Sequence, residues 1–460
     1  MQRIDKQLPY DPTDKQSIFY YATSLKGSTL RKTTGAEKLP GGKKNKGAFG
    51  NAVETYFFKL NQNSDSSADF KEAGLELKTT PLKQNKNGSL SAKERLSLGM
   101  IDYKEVVHET FEKSHLMQKA HDILLISYLW KPDENPLDHR IELVEMVSLS
   151  KLPKGDLAQI KTDWETIVNK VREGKAHEIS GTDTLYLEAA TKSSGSEKRR
   201  EQPYSPIKAK PRAWALKASF MTAMSNRIID RMQSIERADD EQNLTLIDLV
   251  RKRFEPYLGL TEEELGIRFG YLSPNQNRRK PKNLCALITR KILGVSEDAK
   301  IEELEKAGAK PKTMRLRRNG TPKESMSFPR FDYFDLVRTP FEESNFAEYL
   351  SQTYLFVIYQ EDPYTKDQYR LVDVAFWQMP ESDIPEAKRC YEEMRGRVAS
   401  GHAEQSVKSS ENRCCHVRPH DTKTSKPIPT PQGEPMKRKC FWLNAQYLKT
   451  EVSRIRKNSL

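Results

Sequence analysis

Asp69-Phe70-Lys71-Glu72-Ala73-Gly74-Leu75-Glu76-Leu77-Lys78-Thr79 decides how the rest of this chain reads. Leu75 to Thr79 alternates apolar and polar residues, the period of a strand, so Leu75 and Leu77 face one side and Glu76 and Lys78 the other. Gly74 marks a turn just before that strand, and such a turn returns the carboxylate of Asp69 to the face that carries Glu76. Two hard oxygen ligands beside open water positions suit Mg²⁺. With the ammonium of Lys78 they make up the parts that phosphodiester cleavage uses. The metal polarises the phosphoryl oxygen and its bound water, and a positive charge offsets the developing negative one. An Asp followed by Glu-x-Lys also arises by chance in charged chains, where a solvated edge strand is the plain interpretation. The flanking sequence decides between the two.

Upstream, Lys46 to Phe57 has the spacing of an amphipathic helix with Phe49, Val53 and Tyr56 or Phe57 toward the core. Glu54 falls near that apolar face, where a carboxylate is costly unless paired or bound to a cation. A surface glutamate at the edge of the stripe is the alternative.

Downstream, the chain repeats itself. Ala73-Gly74, Lys78 and Thr79 recur as Ala307-Gly308, Lys312 and Thr313, 234 positions on (307 less 73). Asn87-Gly88 matches Asn319-Gly320, Asp102-Tyr103 matches Asp332-Tyr333, and the apolar run Ile123 to Ile126 matches Leu355 to Ile358. Trp164-Glu165 answers to Tyr391-Glu392, and Leu216-Lys217-Ala218 to Leu443-Asn444-Ala445, by which point the offset has shrunk to 227 (443 less 216). A slowly drifting offset is what short loop deletions leave in a duplicated chain. In the second copy Ile288 stands at the position of Glu54, Glu303 at Asp69 and Lys310 at Glu76, while Lys312 keeps Lys78. A lysine at a ligand position repels a divalent cation, so the second copy is expected to be catalytically dead.

The expected organisation is a first domain over 1–225, a charged linker over 226–245 with the look of a solvated helix from Arg227 to Asn243, and a second domain over 246–460. Each copy mixes strands with helices, one of which is expected to begin near Asp163 in the first copy and Pro385 in the second, so the fold class is α/β or α+β twice over. Ser193 to Ser205 and Thr422 to Pro435 read as polar loops.

Lys plus Arg number 77 against 64 Asp plus Glu, a net charge of +13, which favours a polyanionic partner such as nucleic acid. The 5 cysteines, Cys285, Cys390, Cys414, Cys415 and Cys440, are odd in number and irregular in spacing, which argues against a disulfide framework and for a reducing cytoplasm. Ile123 to Trp130, the longest apolar run, is too short to span a bilayer, so no membrane partner is expected. Cys414, Cys415, His416 and His420 lack a distant Cys-x-x-Cys pair, which fits zinc poorly. Gly41-Gly42-Lys43 is not a phosphate loop, because Glu37 and Lys44 occupy positions that need Gly and Ser or Thr. His108, His115 and His177 have no evident catalytic partner.

Taken together, Lys46-Gly47-x-x-Gly50-x-x-x-Glu54, Asp69 through Thr79, the Asp163-Trp164-Glu165 segment expected at a helix start, and Arg212-x-x-x-Leu216-Lys217-x-x-Phe220 resemble the mismatch-repair endonuclease MutH. The two-copy layout, with Cys415-His416-Val417-Arg418-Pro419-His420 and Phe441-Trp442-Leu443-Asn444 near the end, is closer to the GATC-cutting type II restriction endonucleases of the Sau-three-A type. The resemblance covers most of the chain. It implies a restriction-endonuclease-like PD-(D/E)xK fold present twice, a mixed sheet flanked by helices, and Mg²⁺-dependent cleavage beside the G of GATC. By position it makes Asp69, Glu76, the Leu77 carbonyl and Glu54 metal ligands, Lys78 the catalytic lysine, and Lys46 and Lys119 lysines near the scissile phosphate. Either of the last two would also serve as an ordinary phosphate contact.

MutH carries Arg-Pro-Lys in its recognition segment. The first copy here has Ala190-Thr191-Lys192, which leaves Lys192 as the base contact, while Arg418-Pro419-His420 of the second copy keeps the Arg and Pro. Arg418 and His420 therefore belong to an expected second DNA site, and the second domain is expected to regulate the first. The implied partners are double-stranded DNA at two sites per molecule, a cognate DNA methyltransferase that protects host DNA, and a second copy of the chain on DNA. Ala215 stands where MutH has a tyrosine linked to methylation sensing. A methylation-directed nickase of mismatch repair and a non-cutting DNA-binding protein are the rival expectations.

Overall fold

Glu76–Gln84 is a strand in the computed structural model, with Leu75 and Leu77 buried and Glu76 and Lys78 on the more accessible face. The structure describes residues 8–40, 47–60, 68–85, 88–192, 198–226, 232–273, 280–420 and 425–457. The chain divides into two compact units, Met1–Met232 with Arg237–Thr245 and Glu305–Ala307, and Gln233–Glu236 with Leu246–Leu304 and Gly308–Leu460.

In the first unit the motif strand sits inside a four-stranded sheet, in the order Leu90–Ala92, Glu76–Gln84, Ile123–Leu129, Ile141–Val147. It runs parallel to Ile123–Leu129, with Glu76 opposite Ile123 and Lys78 opposite Leu125, while the other pairs are antiparallel. Parallel strands need a long crossover, and residues 85–122 supply it. Leu75, Leu77, Leu124 and Ile126 pack with Phe49, Val53 and Phe57 on the other face. Full burial of one such side chain stabilises by about 1.5–3 kcal/mol, so this contact fixes where the upstream helix lies.

A second, antiparallel sheet joins Leu96–Met100, Arg212–Leu216 and Leu187–Thr191. The helix Lys154–Arg172 buries Ile160, Trp164, Ile167, Val168 and Val171, a stripe at helical spacing. It ends at Gly174, whose φ of +72° places it in the left-handed region. A β carbon on Gly174 would stand 2.6 Å from the carbonyl oxygen of Tyr204. Gly174→Ala is therefore expected to lower stability by more than about 1 kcal/mol, since strain and clash add. A denaturation midpoint equal to that of the parent chain would refute this.

In the second unit Ala309–Leu316 runs parallel to Thr353–Glu361, which pairs antiparallel with Tyr369–Trp377. Lys310 lies opposite Tyr354 and Lys312 opposite Phe356. Met326–Arg330, Lys439–Leu443 and Cys415–Pro419 form a second antiparallel sheet. Local details recur at the matched positions. Asp102 caps one helix through the N–H groups of Lys104 and Glu105, and Asp332 caps another through those of Phe334 and Asp335. The Tyr103 hydroxyl donates to the Lys210 carbonyl at 2.6 Å, and that of Tyr333 to the Lys437 carbonyl at 2.7 Å. Buried Arg212 donates to the Ala189 carbonyl and buried Lys439 to the Ala403 carbonyl. Trp164 meets Phe111 edge-on and stacks with Trp214, as Tyr391 meets Phe341 and stacks with Phe441.

Four expectations need correction. Asp163 does not begin a helix: it lies in the middle of Lys154–Arg172, which starts directly after Pro153. Its carboxylate serves another segment, accepting the backbone N–H groups of Leu185, Tyr186 and Leu187 and the side-chain amide of Gln159. Lys46 to Phe57 is not one regular helix: Ala48–Ala52 is α and Val53–Phe57 is a π turn. Within the charged stretch, 227–231 lie outside the described residues, and the rest holds a 3₁₀ turn at Asp239–Glu241 with Ile235 and Glu241 buried, not a solvated helix. The polar stretches expected as loops also pair in part, Arg200–Gln202 with Ser205–Ala209 and Ile428–Pro429 with Pro435–Met436. Among the described residues no helix is long and apolar enough to cross a membrane.

Candidate active site

Phe70 and Leu75 exchange backbone hydrogen bonds at 3.0 and 3.2 Å, and Gly74 closes the turn between them with φ +61°. A side chain would be strained there, which is why the position suits glycine. The turn lays Asp69 alongside the motif strand, where its Oδ2 accepts the N–H of Leu77 at 2.8 Å. The Lys78 ammonium donates to Glu76 Oε1 at 2.5 Å, across the face that the strand period assigns to both.

Glu54 arrives from the π turn. A β carbon on Gly50 would stand 3.2 Å from Thr79 Oγ1, so the helix backbone packs close against the motif strand. The extra residue per turn after Ala52 rotates Val53–Phe57 relative to the helix before it, burying Phe57 and leaving Tyr56 half-buried. Burial pushes the Glu54 carboxyl above the usual carboxylate range, and the negative charge of Asp69 adds to the push. Burial likewise raises the Asp69 carboxyl, with Glu76 adding to it and the Leu77 N–H, Lys78 and Lys119 opposing. Three half-buried carboxylates thus share one neighbourhood in which the Lys78 ammonium is already paired to Glu76 and Lys119 acts on Asp69, an arrangement that an added cation relieves.

The donor chemistry fits a hard divalent ion, since carboxylate and carbonyl oxygens are the ligands such ions take. The set is gathered but not closed: among the described residues no three Asp, Glu, His or Cys side chains already form a cage. Glu76 is turned to Lys78 and Asp69 to the Leu77 N–H.

Lys119 ends the helix His115–Lys119 and lies within electrostatic reach of Asp69. Lys46 and Gly41-Gly42-Lys43 lie outside the described residues. Lys192 follows the strand Leu187–Thr191 and donates to Ser97 Oγ at 2.9 Å. Burial and nearby Arg95 lower its pKa. Ser97 and Arg95 escaped the sequence reading, although Arg95-Leu96-Ser97-Leu98 alternates as a strand does. Ala215, buried, lies opposite Ser97 on one side and Glu188 on the other, and Glu188 pairs with Arg95 at 3.0 Å.

In the second unit Ile288 is fully buried in the helix Leu284–Ile292, and both carboxylate oxygens of Glu303 accept the N–H of Ile235 at 3.1 Å. Lys310 and Lys312 lie on the strand Ala309–Leu316, at the positions that the sequence comparison sets against Glu76 and Lys78. Arg418 holds its guanidinium 3.8 Å from the centre of the Trp442 ring, and His420 meets the same ring edge-on at 4.9 Å. His420 also lines a cavity of about 520 Å³ with Phe328, Arg330, Phe331 and Arg438. His416 is occupied by Asn444 at 2.6 Å, and all five cysteines are buried and free. His115 pairs with Glu109 and His177 with Gln202.

Residues 58–163, which include Asp69, Glu76, Lys78 and Lys119, match the family described as DNA mismatch repair enzyme MutH. Over 229 residues the chain is 26% identical to the DNA mismatch repair protein MutH of Yersinia enterocolitica, an alignment covering 48% of this chain and 95% of that protein. It is 27% identical to MutH of Vibrio cholerae, covering 47% and 97% respectively. The similarity to the type II restriction enzyme Sau3AI of Staphylococcus aureus reaches further, with 31% identity over 492 aligned positions that span 95% of this chain and 98% of the relative. A match that runs from one end to the other, with the acidic motif inside it, shows that the chain belongs to the family of this type II restriction enzyme and is a site-specific deoxyribonuclease.

Proposed function

We propose that the first unit makes Mg²⁺-dependent double-strand cuts in DNA at GATC, and that the second unit is a degenerate copy of the same fold that binds a second stretch of DNA and regulates the first. The observation that carries this reading is the gathering of Glu54, Asp69, Glu76 and Lys78 at one face of the first unit, against Ile288, Glu303, Lys310 and Lys312 in the second. The matched strand pairings, aspartate caps, tyrosine-to-carbonyl bonds and aromatic triads of the two units support the duplication.

In this reading a divalent ion held by Asp69, Glu76, the Leu77 carbonyl and Glu54 supplies polarisation of a phosphoryl oxygen and of a water molecule. The protein does the rest. The Leu77 N–H fixes the rotamer of Asp69, and Glu76 holds the Lys78 ammonium on the face where charge develops. Lys119 and Lys192 contribute positive charge for the DNA backbone and bases, and Arg418, braced on Trp442, presents its fork in the second unit. The restriction role also calls for a cognate methyltransferase and for pairing of two chains on DNA.

Supercoiled plasmid of known sequence tests the proposal. Full-length linear fragments with ends mapping to GATC are expected with Mg²⁺, and none with EDTA. Nicked circles alone would point to a mismatch-repair nickase, and binding without cutting in Mg²⁺ or Mn²⁺ to a DNA-binding protein. Each phosphate contact also steepens the fall of affinity with salt, so cutting at limiting enzyme is expected to fail as salt rises from about 50 to 200 mM.

A further inference from the structure

Lys310 and Lys312 lie two residues apart on the strand Ala309–Leu316 and therefore share a face. Their counterparts Glu76 and Lys78 neutralise each other in the first unit. Here the acid has become a base. Lys310 is exposed, with its ammonium 5.2 Å from the centre of the Tyr349 ring, and Lys312 is half-buried. Both backbones pair with the strand Thr353–Glu361, but among the described residues neither ammonium makes a hydrogen bond or an ion pair. Burial, and then the neighbouring Lys310, push the Lys312 pKa down, and no carboxylate opposes them. Withdrawing an ammonium from water beside a second ammonium costs free energy that an anion recovers. Two compact ammonium groups with rotatable N–H donors act as point charges of the kind that bind phosphate oxygens.

We propose that Lys310 and Lys312 form a binding site for a backbone phosphate of double-stranded DNA, in which the Lys310 ammonium stands where the first unit would hold its divalent ion. DNA binding by the second unit is then independent of metal, whereas cutting by the first is not. The chain engages its effector DNA before Mg²⁺ is present. The inference rests on the reading that the second unit binds DNA.

Fluorescence anisotropy of the full chain with a labelled GATC-containing duplex in EDTA, over a range of salt, tests it. The parent chain is expected to bind. Lys312→Met and Lys310→Glu are each expected to weaken binding roughly tenfold and to flatten the salt dependence by about one phosphate contact. Lys366→Met, which removes one exposed charge from the turn between the strands Thr353–Glu361 and Tyr369–Trp377, is expected to do neither. Lys312→Arg is expected to retain binding.

Melting of the free protein supplies an independent readout. Lys312→Met is expected to raise Tm, because methionine fills the same space without an unpaired charge, so that stability and affinity move in opposite directions. The proposal is overturned if both variants bind like the parent with the same salt slope, if the parent does not bind in EDTA, or if Lys312→Met lowers Tm. It is also overturned if inorganic phosphate at matched ionic strength raises Tm as much as the duplex does, which would mark a site for free phosphate. A parent chain that leaves plasmid uncut in Mg²⁺ defeats the nuclease proposal itself. A parent that cuts, with variants that bind unchanged, defeats this inference alone.

Discussion

Lys78→Ala is expected to lower the rate of Mg²⁺-dependent plasmid cleavage by about 10²–10³-fold, the usual loss when one preorganised charge leaves a reacting centre. Glu76→Ala is expected to lose at least as much, because it removes both a proposed ligand and the group that holds the Lys78 ammonium at 2.5 Å. Neither change should unfold the chain. Both side chains are only half-buried, and deleting Glu76 removes one of three carboxylates that repel one another. Glu54→Gln keeps the shape of the π turn and is expected to raise stability while reducing cleavage, since burial and Asp69 both disfavour the charged carboxylate there. Single-turnover cutting of a GATC plasmid, with a thermal melt of each variant, checks all three. Cutting by Lys78→Ala within a few-fold of the parent would remove Lys78 from the chemistry.

The second large effect is on folding. Asp163→Ala is expected to lower the stability of the first unit by about 3–5 kcal/mol, the range for removing one partner from a buried charged network. The carboxylate is fully enclosed and accepts three consecutive backbone N–H groups, from Leu185 at 3.1 Å, Tyr186 at 2.7 Å and Leu187 at 2.9 Å. Burial pushes its pKa up, and those N–H groups and Lys217 pull it back down. Lys217 is half-buried and donates to the carbonyls of Gly181 and Thr184. Removing the carboxylate therefore orphans several N–H groups, a recognised source of large loss, and takes one of the nearby negative charges from the half-buried Lys217 ammonium. Against a total stability on the order of 5–15 kcal/mol, such a loss leaves the unit marginal. Asp163→Asn retains acceptor capacity and is expected to cost less. Urea denaturation measures both, and a loss under about 1 kcal/mol for Asp163→Ala would mean that water or a backbone shift satisfies those groups.

The strand of the acidic motif was legible because its information is local. A period of two sorts Leu75 and Leu77 from Glu76 and Lys78, and glycine before the strand signals a turn whatever lies around it. The proposed repeat rests on a different kind of comparison: two stretches of one chain can be set against each other without knowing the structure of either.

What escaped the sequence depends on partners distant along the chain. Nothing in Lys46 to Phe57 marks the change from α to π after Ala52, which is where the helix meets the close-packed strand at Thr79. Asp163 has the composition of a helix start, because aspartate favours caps, yet it lies mid-helix to satisfy backbone groups more than twenty residues later. Ser97 and Arg95 meet Lys192 and Glu188 only through antiparallel pairing of strands that are far apart in sequence.

By itself, then, the sequence determined the strand that carries Glu76 and Lys78 and the return of Asp69 through Gly74, and it supplied the comparison on which the proposed replacement of Glu76 by Lys310 rests. These come from side-chain period, backbone freedom at glycine and the sign of a charge. Only the tertiary structure decided that Glu54 reaches the same neighbourhood as Asp69, that Leu77 holds Asp69 by its N–H, and that Lys312 is left half-buried without an acid among the described residues. Burial and pairing are properties of what surrounds a residue, and those surroundings come from segments that the local pattern does not name.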